Sequence, residues 1–246
     1  MVRKYITGAG TWLAPGDRVA LVLENSLEYV SSYYGVLAAG GTVVALNSAA
    51  KARDLLNWIA HCGARWRIGQ SQHPEWGALT SDTIHLKVVQ VGDMHNAPAG
   101  RFHWSEIVSG PKSFSSHVDV HETDATAAII YTSGTTGRPK GVMLTHQNLL
   151  VAARTSGLLR KTVPADRIYG VLPMSHIVGY AVLLIATLMH GATLHVVPKA
   201  DPAALARAIA EEGVTTLFGV PATYQRLLEY TAVQGLAKLA RGNLRM

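Results

Sequence analysis

The sequence predicts an α/β protein whose sheets are mainly parallel and covered by helices. Short apolar runs rich in Val, Ile and Leu alternate with amphipathic segments of helical length. Apolar residues make up 48% of 246 residues, enough to bury a sizeable core. A loop rich in glycine and threonine, residues 132–141, directly follows the apolar run at 127–131. Parallel strands need crossover connections, so a strand–helix–strand order along the chain indicates a parallel sheet.

The first elements form one strand–helix–strand unit. Residues 18–23 are predicted to form a strand, and Asn25 or Ser26 can cap a helix over 27–39. A pair of glycines ends this helix, and residues 42–46 form the next strand. The order predicts two parallel strands joined by a right-handed crossover.

The region up to residue 124 has weaker patterns. An amphipathic helix is predicted over 51–61, and short strands over 66–68 and 86–91. Several histidines lie in this region without zinc-ligand spacing, among them His73, His85, His95, His103 and His117. We predict no metal site from them.

The stretch AAIIYTSGTTGRPKG, residues 127–141, joins a buried strand to a loop suited to a phosphate. Glycines allow backbone N–H groups to approach a ligand closely, and hydroxyls and a lysine add further donors. An ordinary turn would need only one or two permissive residues. The ATPase P-loop pattern is not present, because Gly137 precedes Arg138 and Lys140 precedes Gly141.

The remainder of the chain continues the alternation of strands and helices. After a short strand at 142–144, Thr145 can cap a helix over 146–159. The further predicted elements are a buried helix within 177–189, a strand over 191–197, a helix over 202–211 capped by Asp201, and a strand over 214–220.

The string TSGTTGRPKG closely resembles the phosphate-binding signature of the adenylate-forming enzymes, which include acyl-CoA synthetases, firefly luciferase and nonribosomal peptide adenylation domains. PGDRVALVLENS and AAGGTVVALN are similar to the opening of the same fold. The resemblance implies stacked αβα subdomains, with residues 1–160 carrying the loop and 161–246 carrying elements of an acyl pocket. It also implies that the β- and γ-phosphates of ATP are bound by Thr132, Ser133, Gly134, Thr135, Thr136, Gly137 and Lys140.

A second motif, YGVLPMSHIVGY at 169–180, places His176 just before the apolar helix. A single histidine at a helix start is often structural. The family, however, has a Pro-x-x-His sequence here whose histidine faces the carboxylate being activated. The resemblance therefore implies that His176 is a catalytic-site residue that orients the acid near the α-phosphate. Val178 and Val182 lie four apart on one helical face, and the matching family positions line the acyl pocket, so we expect an apolar acyl or aryl acid.

Charge and cysteine content argue against several other classes. The net charge of +6 comes from scattered Lys and Arg with no run longer than two, so we expect no nucleic-acid partner. The apolar run at 177–189 is shorter than the ~20 residues that span a bilayer. Cys62 is the single cysteine, which excludes a disulfide framework and agrees with a reducing, cytoplasmic location.

The resemblance implies a parent carboxylate:CoA ligase that uses ATP, Mg2+, a small carboxylic acid and CoA. Family members continue with a C-terminal half that supplies a magnesium-binding Glu, a ribose-binding Asp and a catalytic Lys. We therefore expect this chain alone to be inactive, with an open sheet edge around 214–220 that favours pairing into a homo-oligomer. Two alternatives stay open: an adenylation domain that loads a carrier protein, and a non-catalytic fragment that binds nucleotide or a partner chain.

Overall fold

A computed structural model describes residues 13–79, 86–92, 102–109, 123–132, 139–236 and 244–245. The chain divides into two compact units, residues 1–147 and 148–246, each with its own sheet. The domain boundary expected from the sequence, after residue 160, falls just after helix α5, His146–Leu159, and stays a prediction.

The first unit is built on a seven-stranded sheet. Its strands are β1 Arg18–Val22, β2 Thr42–Ala45, β3 Trp66–Gln70, β4 Lys87–Val91, β5 Phe102–His103, β6 Thr126–Thr132 and β7 Lys140–Thr145. Across the sheet the order is β5-β4-β3-β1-β2-β6-β7. Neighbouring strands in this order are parallel, apart from β6 and β7, which are antiparallel. The prediction of a mainly parallel sheet is confirmed.

The helices of this unit begin and end where local chemistry allows. They are α1 Leu27–Ala38, α2 Ala52–Cys62, α3 Trp76–Leu79 and α4 Trp104–Ser109. The side chain of Ser26 accepts a 3.1 Å hydrogen bond from the N–H of Tyr29, so Ser26 is the cap of α1. Gly63 ends α2 with a φ of 65°, a left-handed conformation that glycine adopts without a Cβ clash.

A buried cluster holds α2 against the sheet. Leu55 and Ile59 of α2 share it with Val44 and Ile129 of the sheet, and each of these residues is less than 5% exposed. Burying one such side chain contributes roughly 1.5 to 3 kcal/mol. Since Ile129 belongs to β6, the cluster fixes α2 to the strand that leads into the loop motif.

The second unit contains a three-stranded parallel sheet in the order β10-β8-β9. Its strands are β8 Arg167–Gly170, β9 Thr193–Val196 and β10 Thr216–Leu217. A π-helix, Val178–Ile185, continues as α6 Ala186–Met189, and α7 Pro202–Glu211 and α8 Pro221–Val233 follow. Asp201 caps α7 as predicted, accepting hydrogen bonds of 3.1 and 3.3 Å from the N–H groups of Ala203 and Ala204.

Two elements of the second unit differ from the sequence-based expectation. The strand expected over 214–220 is shorter in the structure, where only Thr216 and Leu217 pair with β8 and form β10. The single helix expected within 177–189 begins as a π-helix, in which the N–H of Ala186 donates to the carbonyl of Ala181 five residues back.

Candidate functional site

The loop motif spans the connection between β6 and β7. Thr132, the last residue of β6, is paired with Lys140, the first residue of β7, and both are exposed. Residues directly opposite each other in an antiparallel pair project to the same side of the sheet, so their side chains are neighbours. The structure therefore brings the two ends of the predicted phosphate site together. Residues 133–138, which include the predicted site residues Ser133, Gly134, Thr135, Thr136 and Gly137, lie outside the described residues.

The loop leaves the carboxyl end of β6. Because β1, β2 and β6 are parallel, their carboxyl ends lie on the same side of the sheet. Open α/β sheets bind their ligands beyond these carboxyl ends. A cavity of about 320 Å³ lies at the opposite end of these strands, beside Arg18, Thr42 and Thr126, and holds none of the predicted site residues. The position of the loop is therefore the one that suits a ligand in this kind of sheet.

Tyr131, next to Thr132, ties the end of β6 to α2. Its hydroxyl donates to the carbonyl oxygen of Trp58 at 3.0 Å and lies 2.7 Å from Nδ1 of His61. The rings of Tyr131 and Trp58 stack with centroids 5.5 Å apart and planes 23° apart. Burial, together with the nearby Cys62 thiol, raises the pKa of the Tyr131 phenol, so its hydroxyl keeps its proton and remains a donor.

The sequence did not identify this contact as part of the site. Trp58 and His61 lie three residues apart and therefore on one side of α2. This spacing is the only local feature of the sequence that relates to their contact with Tyr131. Tyr131 is 70 positions away from His61, and the contact depends on the order of the strands.

His176 lies in the second unit, in the turn that follows β8. Its N–H donates to the carbonyl of Pro173 at 3.0 Å, and its carbonyl accepts from the N–H of Tyr180 at 2.8 Å. Nδ1 of the ring accepts a 3.4 Å hydrogen bond from the N–H of Val178, so in the neutral ring the proton lies on Nε2. The side chain is exposed, and this Nε2–H can donate to an anionic oxygen of a ligand.

Gly179 allows the π-helix to pack closely against this turn. A Cβ on Gly179 would lie 2.0 Å from the carbonyl oxygen of Pro173, a distance that no side chain tolerates. Met174, inside the turn, is completely buried. The backbone that carries His176 is therefore held by the close packing of Gly179 against Pro173 and by the burial of Met174.

Val178 and Val182 lie on the π-helix. Val178 is 37% exposed, and Val182 is half-buried. Their role in an acid pocket stays a prediction.

Of the histidines considered in the region before residue 124, His73 and His103 are described, whereas His85, His95 and His117 lie outside the described residues. Nδ1 of His73 accepts a 3.0 Å hydrogen bond from the N–H of Glu75. In the described part of the chain, no three His, Cys, Asp or Glu residues are grouped so that they could hold a metal ion. No helix within the described ranges is both long and apolar enough to cross a bilayer.

Comparison with known proteins connects this fold to one family. The sequence model of the family described as AMP-binding enzyme matches residues 8–246. The 2-succinylbenzoate–CoA ligase of Bacillus cereus is 29% identical over 214 residues, which cover 87% of this chain and 40% of that enzyme. The feruloyl-CoA synthase of Amycolatopsis sp is 30% identical over 213 residues, with the same two shares.

A solved structure shows the same relation. ATP-bound MatB from Rhodopseudomonas palustris superposes with a TM-score of 0.80 at 30% identity, over 98% of this chain and 46% of that one. The chain thus spans about 40% of the length of the curated relatives named above. Since the family model matches nearly the whole sequence, the chain belongs to the family of AMP-binding enzymes.

Proposed function

We propose that the chain forms the phosphate-binding and acid-binding part of an AMP-forming carboxylate:CoA ligase. The observation that carries this proposal is the pairing of Thr132 with Lys140 at the carboxyl end of β6, which joins the ends of TSGTTGRPKG. The names of the two CoA-forming relatives support CoA rather than a carrier protein as the thiol acceptor. The ATP-bound relative supports ATP as the nucleotide.

The proposed reaction has two steps. A carboxylate oxygen attacks the α-phosphorus of ATP, the bond from the α-phosphorus to the bridging oxygen breaks, and pyrophosphate leaves. The thiol of CoA then attacks the acyl carbon and AMP leaves. The hydroxyl of Thr132, the ammonium of Lys140 and the donors of residues 133–137 hold the β- and γ-phosphates, so they stabilise the charge of the leaving pyrophosphate.

His176 orients the acid in this scheme. Its Nε2–H donates to the carboxylate, since Nδ1 is already an acceptor for the N–H of Val178. No proton transfer is required of it, because the attacking carboxylate is already ionised at neutral pH.

Val178 and Val182 form one wall of the proposed acid pocket, which favours an apolar acyl or aryl acid. Replacing both with Phe should shift the preference of the complete enzyme toward smaller acids. An unchanged ranking of acids would remove these two residues from the wall.

Mg2+ enters this scheme with ATP, bound to the phosphate oxygens. Since the described residues offer no grouped set of metal ligands, no step is assigned to an ion held by the protein.

Calorimetric titration with Mg–pyrophosphate and Mg–ATP tests the proposal on binding alone. The Lys140→Ala variant should bind pyrophosphate about 1 to 3 kcal/mol more weakly, the range for hydrogen bonds to charged groups. Lys51→Ala is the matched control, because Lys51 is an exposed lysine at the start of α2 whose side chain makes no capping hydrogen bond. Equal pyrophosphate affinity in the wild type and Lys140→Ala would contradict the assignment.

A further inference from the structure

We propose that Tyr131, held by Trp58 and His61 of helix α2, is a positioning residue that sets the place of Thr132 and Lys140 for phosphate binding. This inference rests on the proposed function of the loop. It adds a residue outside the glycine-rich motif and gives helix α2 a role in the site.

The hairpin of β6 and β7 places the anchoring residue, Tyr131, on one face of the sheet and the phosphate-binding residues on the other. Successive residues of a strand project to opposite faces, so Tyr131 faces α2 while Thr132 and Lys140 project from the other side of the sheet. Tyr131 is paired across the hairpin with Gly141. Since Gly141 has no side chain, the tyrosine ring has room to lie beside it: a Cβ there would be 3.4 Å from Cζ of Tyr131 and 3.0 Å from a methyl group of Ile129. The ring therefore secures both strands immediately next to the Thr132–Lys140 pair.

The polar contacts have defined directions. The single proton of the Tyr131 hydroxyl is donated to the carbonyl oxygen of Trp58 at 3.0 Å. The proton in the 2.7 Å contact with His61 must therefore come from Nδ1–H of the histidine. His61 donates, Tyr131 accepts and donates, and the Trp58 carbonyl accepts. Movement of the end of β6 away from α2 would break both bonds and the ring stacking together.

This anchoring affects binding because Lys140 is exposed. A flexible lysine loses conformational entropy when it binds a phosphate, which weakens binding. If the strand that carries the lysine is also mobile, more conformational entropy is lost and binding is weaker still. A strand end fixed by two hydrogen bonds and a stacked ring reduces the cost. Loss of the Tyr131 hydroxyl should therefore weaken phosphate binding even though the hydroxyl does not touch the phosphate.

The test is calorimetric titration of Tyr131→Phe with Mg–pyrophosphate, alongside urea unfolding of the same variant. Phe retains the ring that stacks on Trp58 and removes only the hydroxyl. We expect affinity to fall about two- to tenfold, which corresponds to the net contribution of one of the two hydrogen bonds that the hydroxyl makes, because the rest of their free energy stabilises the fold and not the bound phosphate. Tyr224→Phe is the matched control, because the hydroxyl of Tyr224 also donates to a backbone carbonyl, that of Leu217 at 3.1 Å, within the second unit. That variant also loses a hydrogen bond from a tyrosine hydroxyl to a backbone carbonyl, and it should keep wild-type affinity.

Two variants of His61 separate positioning from general destabilisation. Asn at this position retains an N–H donor close to the place of Nδ1–H, whereas Leu does not. We expect His61→Asn to bind pyrophosphate nearly as the wild type does, and His61→Leu to resemble Tyr131→Phe.

The outcomes distinguish this inference from the function on which it rests. Wild-type affinity in Tyr131→Phe, with weak binding in Lys140→Ala, would overturn the positioning role and leave the phosphate site standing. Equal weakening in Tyr131→Phe and Tyr224→Phe would overturn it as well, since both would then reflect stability alone. Failure of the wild type to bind pyrophosphate would overturn both proposals.

Discussion

Asp166 is a buried carboxylate that several donors hold in front of β8. It is 2% exposed and accepts hydrogen bonds of 2.9 Å from the N–H of Val163 and from the hydroxyl of Thr215. The guanidinium of Arg245 pairs with it, and the N–H of Arg245 donates to the carbonyl of Thr215. Burial by itself would raise the pKa of the Asp166 carboxyl, but these donors and the positive charge outweigh it and lower the pKa below its usual value.

A pH-dependent stability follows from this lowered pKa. The contacts stabilise the fold fully above the unfolded-state pKa of about 3.9 and are lost as the pH falls through the lower, folded-state pKa. Asp166→Asn should therefore reduce the free energy of unfolding by about 1 to 3 kcal/mol at neutral pH. The difference from the wild type should shrink as the pH falls below the unfolded-state pKa. Urea unfolding at several pH values measures this.

Asp201→Asn is the control for that experiment. Asn is as good a helix cap as Asp, so this variant should change stability little at neutral pH. A constant difference between Asp166→Asn and the wild type across the acid range would show that the charge of Asp166 is unimportant.

The proposed site residues differ in how easily the sequence indicates them. Lys140 stands in a contiguous motif and His176 in a short one, so both can be proposed from the sequence, and their roles stay predictions. Tyr131 was read only as part of a buried strand, since its partners on α2 come from another part of the chain. Its role depends on which strand packs under that helix, and no local pattern records this.

The π-helix and the turn before it act as one element. The N–H of Tyr180 donates to the carbonyl of His176, and Gly179 lets the helix approach Pro173. π-Helical segments are rare and frequently lie at functional sites. The N–H of Val178, the first residue of this helix, also donates to Nδ1 of His176, so the orientation of the ring is tied to the position of the helix.

Gly179→Ala tests this packing. The added methyl group would lie 2.0 Å from a backbone carbonyl, which cannot move as the end of a side chain can. We expect a loss of about 1 to 3 kcal/mol or more in the free energy of unfolding, measured in urea. Gly77→Ala is the control, because a Cβ on this helical glycine meets no atom within 4 Å, so that variant should be neutral or slightly more stable. Similar stabilities of the two variants would contradict the close approach at Gly179.

Elements set by local chemistry were predictable, and those set by distant contacts were not. The caps Ser26 and Asp201 could be predicted because a cap depends only on the next two or three N–H groups. The two-residue length of β10 depends on how many of its residues pair with β8, a strand almost fifty positions earlier in the chain. The π-helix has the same apolar composition as an α-helix, so the sequence did not distinguish them.

The whole molecule carries the glycine- and threonine-rich loop motif on a seven-stranded sheet and spans about 40% of the length of its curated relatives. The sequence model shows that the chain belongs to the family, but family membership does not by itself mean that this chain catalyses the reaction. Correct positioning of reactants can supply ~7 to 11 kcal/mol of catalysis. The residues proposed above bind the β- and γ-phosphates and the acid, and none of them is assigned to the ribose or adenine of ATP, which would help to fix the α-phosphorus. We therefore expect the chain by itself to bind polyphosphate without forming acyl-adenylate.

Acid-dependent exchange of labelled pyrophosphate into ATP tests the central claim most directly. The assay compares the chain alone with a fusion that adds the C-terminal portion of Rhodopseudomonas palustris MatB, using a panel of medium-chain and aromatic acids. The proposed function predicts no exchange by the chain alone and measurable exchange by the fusion. Exchange should fall about 10- to 100-fold in the Lys140→Ala fusion and remain unchanged in the Lys51→Ala fusion. Equal exchange by the Lys140→Ala and unmodified fusions, or exchange by the chain alone, would contradict it.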